Sequence, residues 1–219
     1  MKNQDMFSDL SATLAEPLFR ETVYPWEVLP KIKEFVRSLG RSLDPEEYDH
    51  PNDEVWIHKS AKLYPNIYIA GPAVIGAETE IRPGAFIRGS VLVGRGCVVG
   101  NSTELKNCIL FDKVQVPHYN YVGDSVLGHY AHMGAGSICS NVKSDKTPVT
   151  VRGNGFAFET GLKKFGAVLG DHVEVGCNSV LNPGTVLEPY ASVYPLSRVR
   201  GVVPAGHIFK AQNDIVKRT

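Results

Sequence analysis

The side chains with the widest chemical reach in this 219-residue chain are its seven histidines and four cysteines. His118, His129 and His132 lie close together in sequence. An imidazole that titrates near pH ~6.5 can accept a proton at neutral pH, so any of the three could serve as a general base. Three imidazoles could also hold zinc, provided the fold made them converge. Cys97, Cys108, Cys139 and Cys177 contain no C-x-x-C pair, so neither a zinc knuckle nor a thioredoxin-like motif is present. Four cysteines in a chain of this length do not make a disulfide framework, and reduced thiols in a cytoplasm are expected.

Positioning such groups requires a core, and the composition supplies one. Hydrophobic residues make up 43% and charged residues 21%, which fits neither a disordered chain nor a membrane protein. The longest apolar runs fall far short of the roughly 20 residues that cross a bilayer. Lys+Arg and Asp+Glu both number 23, so the net charge is zero. That balance gives no electrostatic reason to expect nucleic acid or an anionic membrane as partner. The opening MKNQDMFSDLSATLAE lacks an apolar core and a basic leader, so it does not read as a secretory signal.

The elements themselves are announced by a repeat. Counting in sixes from Ile57 gives Ile57, Leu63, Ile69, Ile75, Ile81, Ile87, Val93, Val99, Leu105 and Phe111, every one large and apolar. At 43% hydrophobic residues, ten such hits arise by chance with a probability on the order of 0.0002 in one frame. Leu169, Val175, Leu181, Leu187, Val193 and Val199 form a second block with the same period. The phase slips between the blocks. A short step from Val122 to Leu127 and an irregular segment at 141–165 lie between them. A period of six suits neither a helix nor a flat sheet. It suits a coil of short strands that bends every six residues and turns one large apolar side chain inward per bend. Three hexads then close one triangular coil, and coils stack at about 4.8 Å as in other solenoids. Cys97 takes a small inward position in this frame and reads as core filler.

Residues 1–56 follow another pattern. Ile32, Phe35, Val36 and Leu39 have helical spacing, and Gly40 is placed to end that helix. An acidic stretch at 44–54 reads as a linker. The expected organisation is an N-terminal helical extension over 1–56, a β-helix over 57–207 and a charged tail over 208–219. The extension is too small for its own core, so it is expected on the end of the prism or on a neighbouring subunit.

The six-residue repeat with [Ile/Leu/Val]-Gly at its corners resembles the left-handed β-helix of the hexapeptide-repeat acyltransferase superfamily. The segments Pro117-His118-Tyr119-Asn120-Tyr121-Val122-Gly123-Asp124 and Met133-Gly134-Ala135-Gly136 through Asn141 are similar to the acetyltransferase domain of the bifunctional enzyme that makes UDP-N-acetylglucosamine. The segment Lys163-Lys164-Phe165-Gly166 through Asp171 resembles the β-helical tails of archaeal sugar-phosphate nucleotidylyltransferases. The resemblance implies a cytoplasmic homotrimer that transfers an acetyl group from acetyl-CoA to an amino-sugar phosphate or sugar nucleotide. By the same resemblance His118 matches the catalytic base. Arg82, Lys106 and Lys164 match phosphate-binding cations, and Tyr121 and Asn141 match sugar-binding residues. His132 stands where the family has an asparagine, and Val142 where it has a tyrosine. Arg198 and Arg200 are candidate partners for the phosphates of CoA.

Such roles are chemically coherent. Fixed cations bind a phosphate. A neutral histidine takes the proton released when an amine attacks a thioester, which is worth roughly 100- to 10,000-fold. In a coil of about 18 residues, positions 82 and 106 are expected on neighbouring faces near one edge. The nucleotidylyltransferase half of the bifunctional enzyme has no counterpart in residues 1–56, which hold no glycine-rich nucleotide loop, so uridylyl transfer is not expected of this chain. Two other functions share the fold. One is a non-catalytic sugar-phosphate-binding or regulatory β-helix. The other is a γ-carbonic-anhydrase-like zinc enzyme using His118, His129 and His132, although the His129-x-x-His132 spacing does not resemble that family's pattern.

Overall fold

The computed structural model describes residues 1–153 and 155–218. From Val55 onward the chain winds as a parallel β-helix with three faces. The first face stacks strands such as Val55–His58, Ala73–Ile75, Val91–Val93, Ala167–Leu169 and Thr185–Leu187. Strands Glu104–Leu110 and Tyr121–Leu127 are long enough to turn a corner and serve two faces. The second face carries Glu80–Ile81, Val98–Asn101, Gln115–His118 and His132–Met133. The third carries Phe86–Ile87, residues 104–105 and 121–122, and Ile138–Cys139. The inward side chains are those of the hexad count: Ile75, Ile81, Ile87, Val93, Val99 and Leu105 are fully buried. Cys97 fills its inward position, and burial pushes its thiol up to about 12.

Most corners place a residue in the left-handed region. Between the second and third faces these are Asn66, Gly84, Ser102, Tyr119, Gly136, Asn178 and Leu196. Most are not glycine, so stacking with the neighbouring coils must offset a cost of roughly 1–2 kcal/mol per residue.

The coils are not all 18 residues long. Ala73 pairs with Val91. The next registers are Val91↔Cys108 and Cys108↔Ser125, one residue shorter each time. The missing residue is lost at the corner between the third and first faces, where Asn107 and Asp124 turn with φ of 48° and 46°. One consequence corrects the sequence reading: Leu110, not Phe111, pairs with Val93 and points inward. Phe111 faces outward into a cluster with Phe7, at a ring-centroid distance of 4.5 Å, and Phe19, at 5.3 Å.

The N-terminal unit lies along the flank of the β-helix, not on its end. The outward column of the first face is Val74, Leu92, Ile109, Val126, Val168 and Val186, all with no exposed surface. The helix Ile32–Ser42 contacts three strands of this face, and the 3₁₀ segment Pro25–Lys31 contacts Tyr121–Leu127. Burying an aliphatic side chain contributes roughly 1.5–3 kcal/mol, so the column gives the unit a strong reason to dock. Gly40 does not end the helix as expected. It sits inside it, and a Cβ there would run into the Trp56 ring.

The irregular segment contains the antiparallel hairpin Thr150–Gly153 and Phe156–Glu159. Phe158 packs on Tyr24 and Trp26, which ties the hairpin to the N-terminal unit. The C-terminal residues form a strand pair. His207–Ala211 extends the second face beside Ser192–Val193 and pairs antiparallel with Asp214–Lys217.

Candidate active site around one corner of the prism

His118 ends the strand Gln115–His118 on the second face, with an exposed side chain. Tyr119 turns the corner with φ 52°, and Tyr121 begins the third face. The corner is pinned from inside by Asn120, an amide that is 2% exposed. Its Oδ1 accepts from the His118 N–H at 3.1 Å, and its Nδ2 donates to Gly134 O at 2.8 Å and to Ser137 Oγ at 3.1 Å. Sequence reasoning passed over Asn120. The signal was present: the equivalent inward positions hold Ala85, Thr103, Ser137 and Ser179, and a larger amide among them must bond to backbone.

On the third face Tyr121 pairs in register with Glu104 below and Ile138 above. Its ring leans along the strand over Gly123, where any Cβ would meet the hydroxyl. Partial burial raises its phenol, as do the charges of Asp124 and Glu104, while Arg88 and a hydrogen bond from Asn141 oppose them. Lys106 lies in register with Gly123, on the same face and one coil below. It has no ion-pair partner among the described residues. Asn141 follows the third face of the next coil, and its Nδ2 donates to Asp124 Oδ2. Its carbonyl accepts from the Phe165 N–H at 3.0 Å, which brings the exposed Lys164 alongside. Lys106, Tyr121, Asn141 and Lys164 are therefore gathered on the third face and the corner beyond it, with His118 around the adjoining corner.

The other candidates lie elsewhere. Arg82 is on the second face, two coils below His118, and is held by Glu80 with an Nη2–Oε2 distance of 3.0 Å. Arg82 and Lys106 do occupy neighbouring faces, but Lys106 lies toward the far edge of its face. The cation in register with Lys106 is Arg88, whose backbone N–H donates to Leu105 O at 2.9 Å and whose guanidinium Nη1 pairs with Glu104 at 2.6 Å. The spacing of 18 from Arg88 to Lys106, one full coil, was the signal for it. His132 sits at the opposite end of the second face from His118, in register with Gln115, and its Nδ1 lies 2.7 Å from Glu174 Oε2. Within one chain it does not meet Asn141. Arg198 is three strands above Tyr121 on the third face, roughly 14 Å at the ordinary strand spacing, with Arg200 two residues on. Both are exposed. His118, His129 and His132 are not gathered, and among the described residues no three His, Cys, Asp or Glu side chains form a group that could hold a metal.

A parallel β-helix of hexapeptide repeats with a polar cluster around one corner places the chain among the hexapeptide-repeat transferases in fold. More narrowly, it belongs to the family described as the GMPPB C-terminal domain, which matches residues 69–195. It is 31% identical over 192 residues to a bifunctional sugar-1-phosphate nucleotidylyltransferase/acetyltransferase of Sulfurisphaera tokodaii, covering 85% of this chain and 47% of that one. A bifunctional protein GlmU of Methanococcus vannielii is 38% identical over 104 residues, 48% of this chain and 25% of that protein. A putative uncharacterized acetyltransferase of Escherichia coli, YaiX, is 30% identical over 155 residues, 63% of this chain and 67% of the other. The chain thus spans less than half the length of the two bifunctional relatives. No helix among the described residues is long and apolar enough to cross a membrane.

Proposed function

We propose that this protein is an acetyl-CoA-dependent N-acetyltransferase acting on an amino-sugar phosphate or sugar nucleotide, and that it works as a cytoplasmic homotrimer. The observation that carries the reading is the gathering of Lys106, Tyr121, Asn141 and Lys164 around the corner from an exposed His118, in a chain whose relatives are named acetyltransferases. The acceptor's amine nitrogen attacks the thioester carbonyl carbon, the C–S bond breaks, and CoA leaves as its thiolate. His118 takes the proton that the amine sheds and returns it to the leaving sulfur. Lys106 and Lys164 carry the acceptor phosphate, with Arg88 as a further cation beside Lys106, and Arg82, on another face of the same chain, joins them only from a neighbouring subunit. Tyr121 and Asn141 bind the sugar. Arg198 and Arg200 bind phosphates of CoA. A neighbouring subunit completes the groove, and His132, remote from Asn141 within one chain, joins a site only across such a boundary.

The test is thiol release from acetyl-CoA in the presence of glucosamine 1-phosphate and other hexosamine phosphates. Wild type is expected to release thiol with one of them, and His118→Ala to lower kcat by on the order of 100-fold or more. Full activity in His118→Ala removes the histidine from the mechanism. Thermal stabilisation by a sugar phosphate without thiol release points to the non-catalytic binding protein.

A further inference from the structure

At the corner between the third and first faces, three short polar side chains stack on consecutive coils. Asp124 is in the middle and is 4% exposed. Its Oδ1 accepts from Asn107 Nδ2 at 2.8 Å, and its Oδ2 accepts from Asn141 Nδ2. Asn107 Nδ2 also reaches the carbonyl of Leu29 in the N-terminal unit at 3.3 Å. No cation pairs with Asp124 among the described residues. A buried carboxylate without a counter-charge is costly, and the two amides are what it has.

A carboxylate can only accept, so the neighbouring asparagines must each turn an amide nitrogen toward it. The orientation of Asn141 is thereby decided by chemistry. Tyr121 lies over Gly123 on the adjoining third face, and Asn141 is among the groups that hold its phenol down. We propose that Asp124 is a positioning residue that sets the direction of hydrogen bonding at this face: Asn141 donates to Asp124 and toward the Tyr121 oxygen, which frees the Tyr121 hydroxyl to donate outward. Resting on the acetyltransferase reading above, this deepens it in one respect. Tyr121 receives an oxygen of the acceptor, a hydroxyl or a phosphate, and not its ammonium. The amine is left to the His118 side of the corner.

Reversing the chain tests this. Asp124→Asn either sets one amide nitrogen against another or makes Asn141 turn over and present its oxygen, so acceptor binding should fall, and thermal stability with it unless Asn141 turns. Adding Asn141→Asp restores complementarity, because the new amide at 124 accepts from Asn107 and donates to the new carboxylate at 141. A mere strut would then recover stability and leave the Tyr121 titration unmoved. On the present inference only stability recovers, since the carboxylate at 141 now captures the Tyr121 hydroxyl. KM for glucosamine 1-phosphate should stay raised by 10-fold or more, with kcat changed much less. The Tyr121 phenol, read as the ultraviolet titration difference from a Tyr121→Phe background, should move to higher pH in the swapped variant. An unmoved Tyr121 titration in the stable swapped variant overturns the proposal, and so does recovery of KM, since Asn141→Asp removes a sugar contact as well. If wild type turns over no hexosamine phosphate, the functional reading has failed, and the titration alone decides the direction of the chain.

Discussion

The first and third faces of the prism share one backbone geometry and differ in what they turn outward. Both bury the same kind of inward aliphatic residue, and both are ladders of parallel strands whose steps before the irregular segment are 17 or 18 residues. The outward column of the first face, Val74 through Val186, is apolar in every coil and fully covered. The corresponding column of the third face mixes Tyr68, Phe86, Glu104, Tyr121 and Ile138. Phe86 is 41% exposed and Tyr68 59%. A uniform apolar column recruits a covering layer by the hydrophobic effect alone. A column interrupted by Glu104, with Arg88 and Lys106 beside it, keeps access to water and to small molecules. In this fold the inward hexad specifies the scaffold, and the outward position specifies the use of each face.

The largest expected effect separates the two faces directly. Leu92→Asp places an unpaired charge under the N-terminal helices and should cost about 3–5 kcal/mol by urea unfolding. Phe86→Asp, the matching change on the third face, should cost under about 1 kcal/mol in a single chain. Equal losses would mean that the third face is as dry in solution as the first, which is what a subunit boundary there would produce.

Light scattering examines that possibility independently. Three chains of 24.0 kDa give 3 × 24.0, or 72 kDa. A stable monomer at micromolar concentration would remove the homotrimer and the shared groove from the proposed function.

A smaller effect tests how closely the cover fits. Gly40→Ala drives a methyl into the Trp56 ring and should destabilise by roughly 1–3 kcal/mol. A neutral result would show that the helix Ile32–Ser42 can lift off the first face at little cost.

The least disruptive test uses the thiols. Cys97, Cys108 and Cys139 are buried, and burial pushes Cys97 and Cys139 up to about 12, while Cys177 is exposed. Near pH 8 an aromatic disulfide reagent should therefore react with one thiol per native chain, and with all four after unfolding. Rapid reaction of a second thiol in the native protein would indicate that the coils around it open.

Much of this was legible in the chain because a solenoid is a local code. Hexads such as Ile75, Ile81 and Ile87 reach only to the next coil, so period and inward positions can be counted without knowing any distant contact. The counting failed where a corner dropped a residue. Phe111 satisfied the frame as well as Leu110 did, and only the register against Val93 separates them. The outward column of the first face was also written in the sequence, as apolar triplets such as Ala73-Val74-Ile75 and Val91-Leu92-Val93. Counting one residue per bend left it unread. The candidate base, Tyr121 and Asn141 were found as a motif, whereas Arg88 and Asn120 belong to no contiguous motif and needed the coil length and the inward frame.

The sequence by itself determined the repeat, the triangular coil and the residues that line its interior, because each of these follows from side-chain size at short range. Tertiary structure alone decided which face the N-terminal unit covers, that His132 turns to Glu174 and away from Asn141, and that Asp124 stands between two amides. Those outcomes depend on coil lengths accumulated over many residues. A single residue dropped at Asn107 or Asp124 shifts everything above it by one position in register, and no local pattern carries that sum.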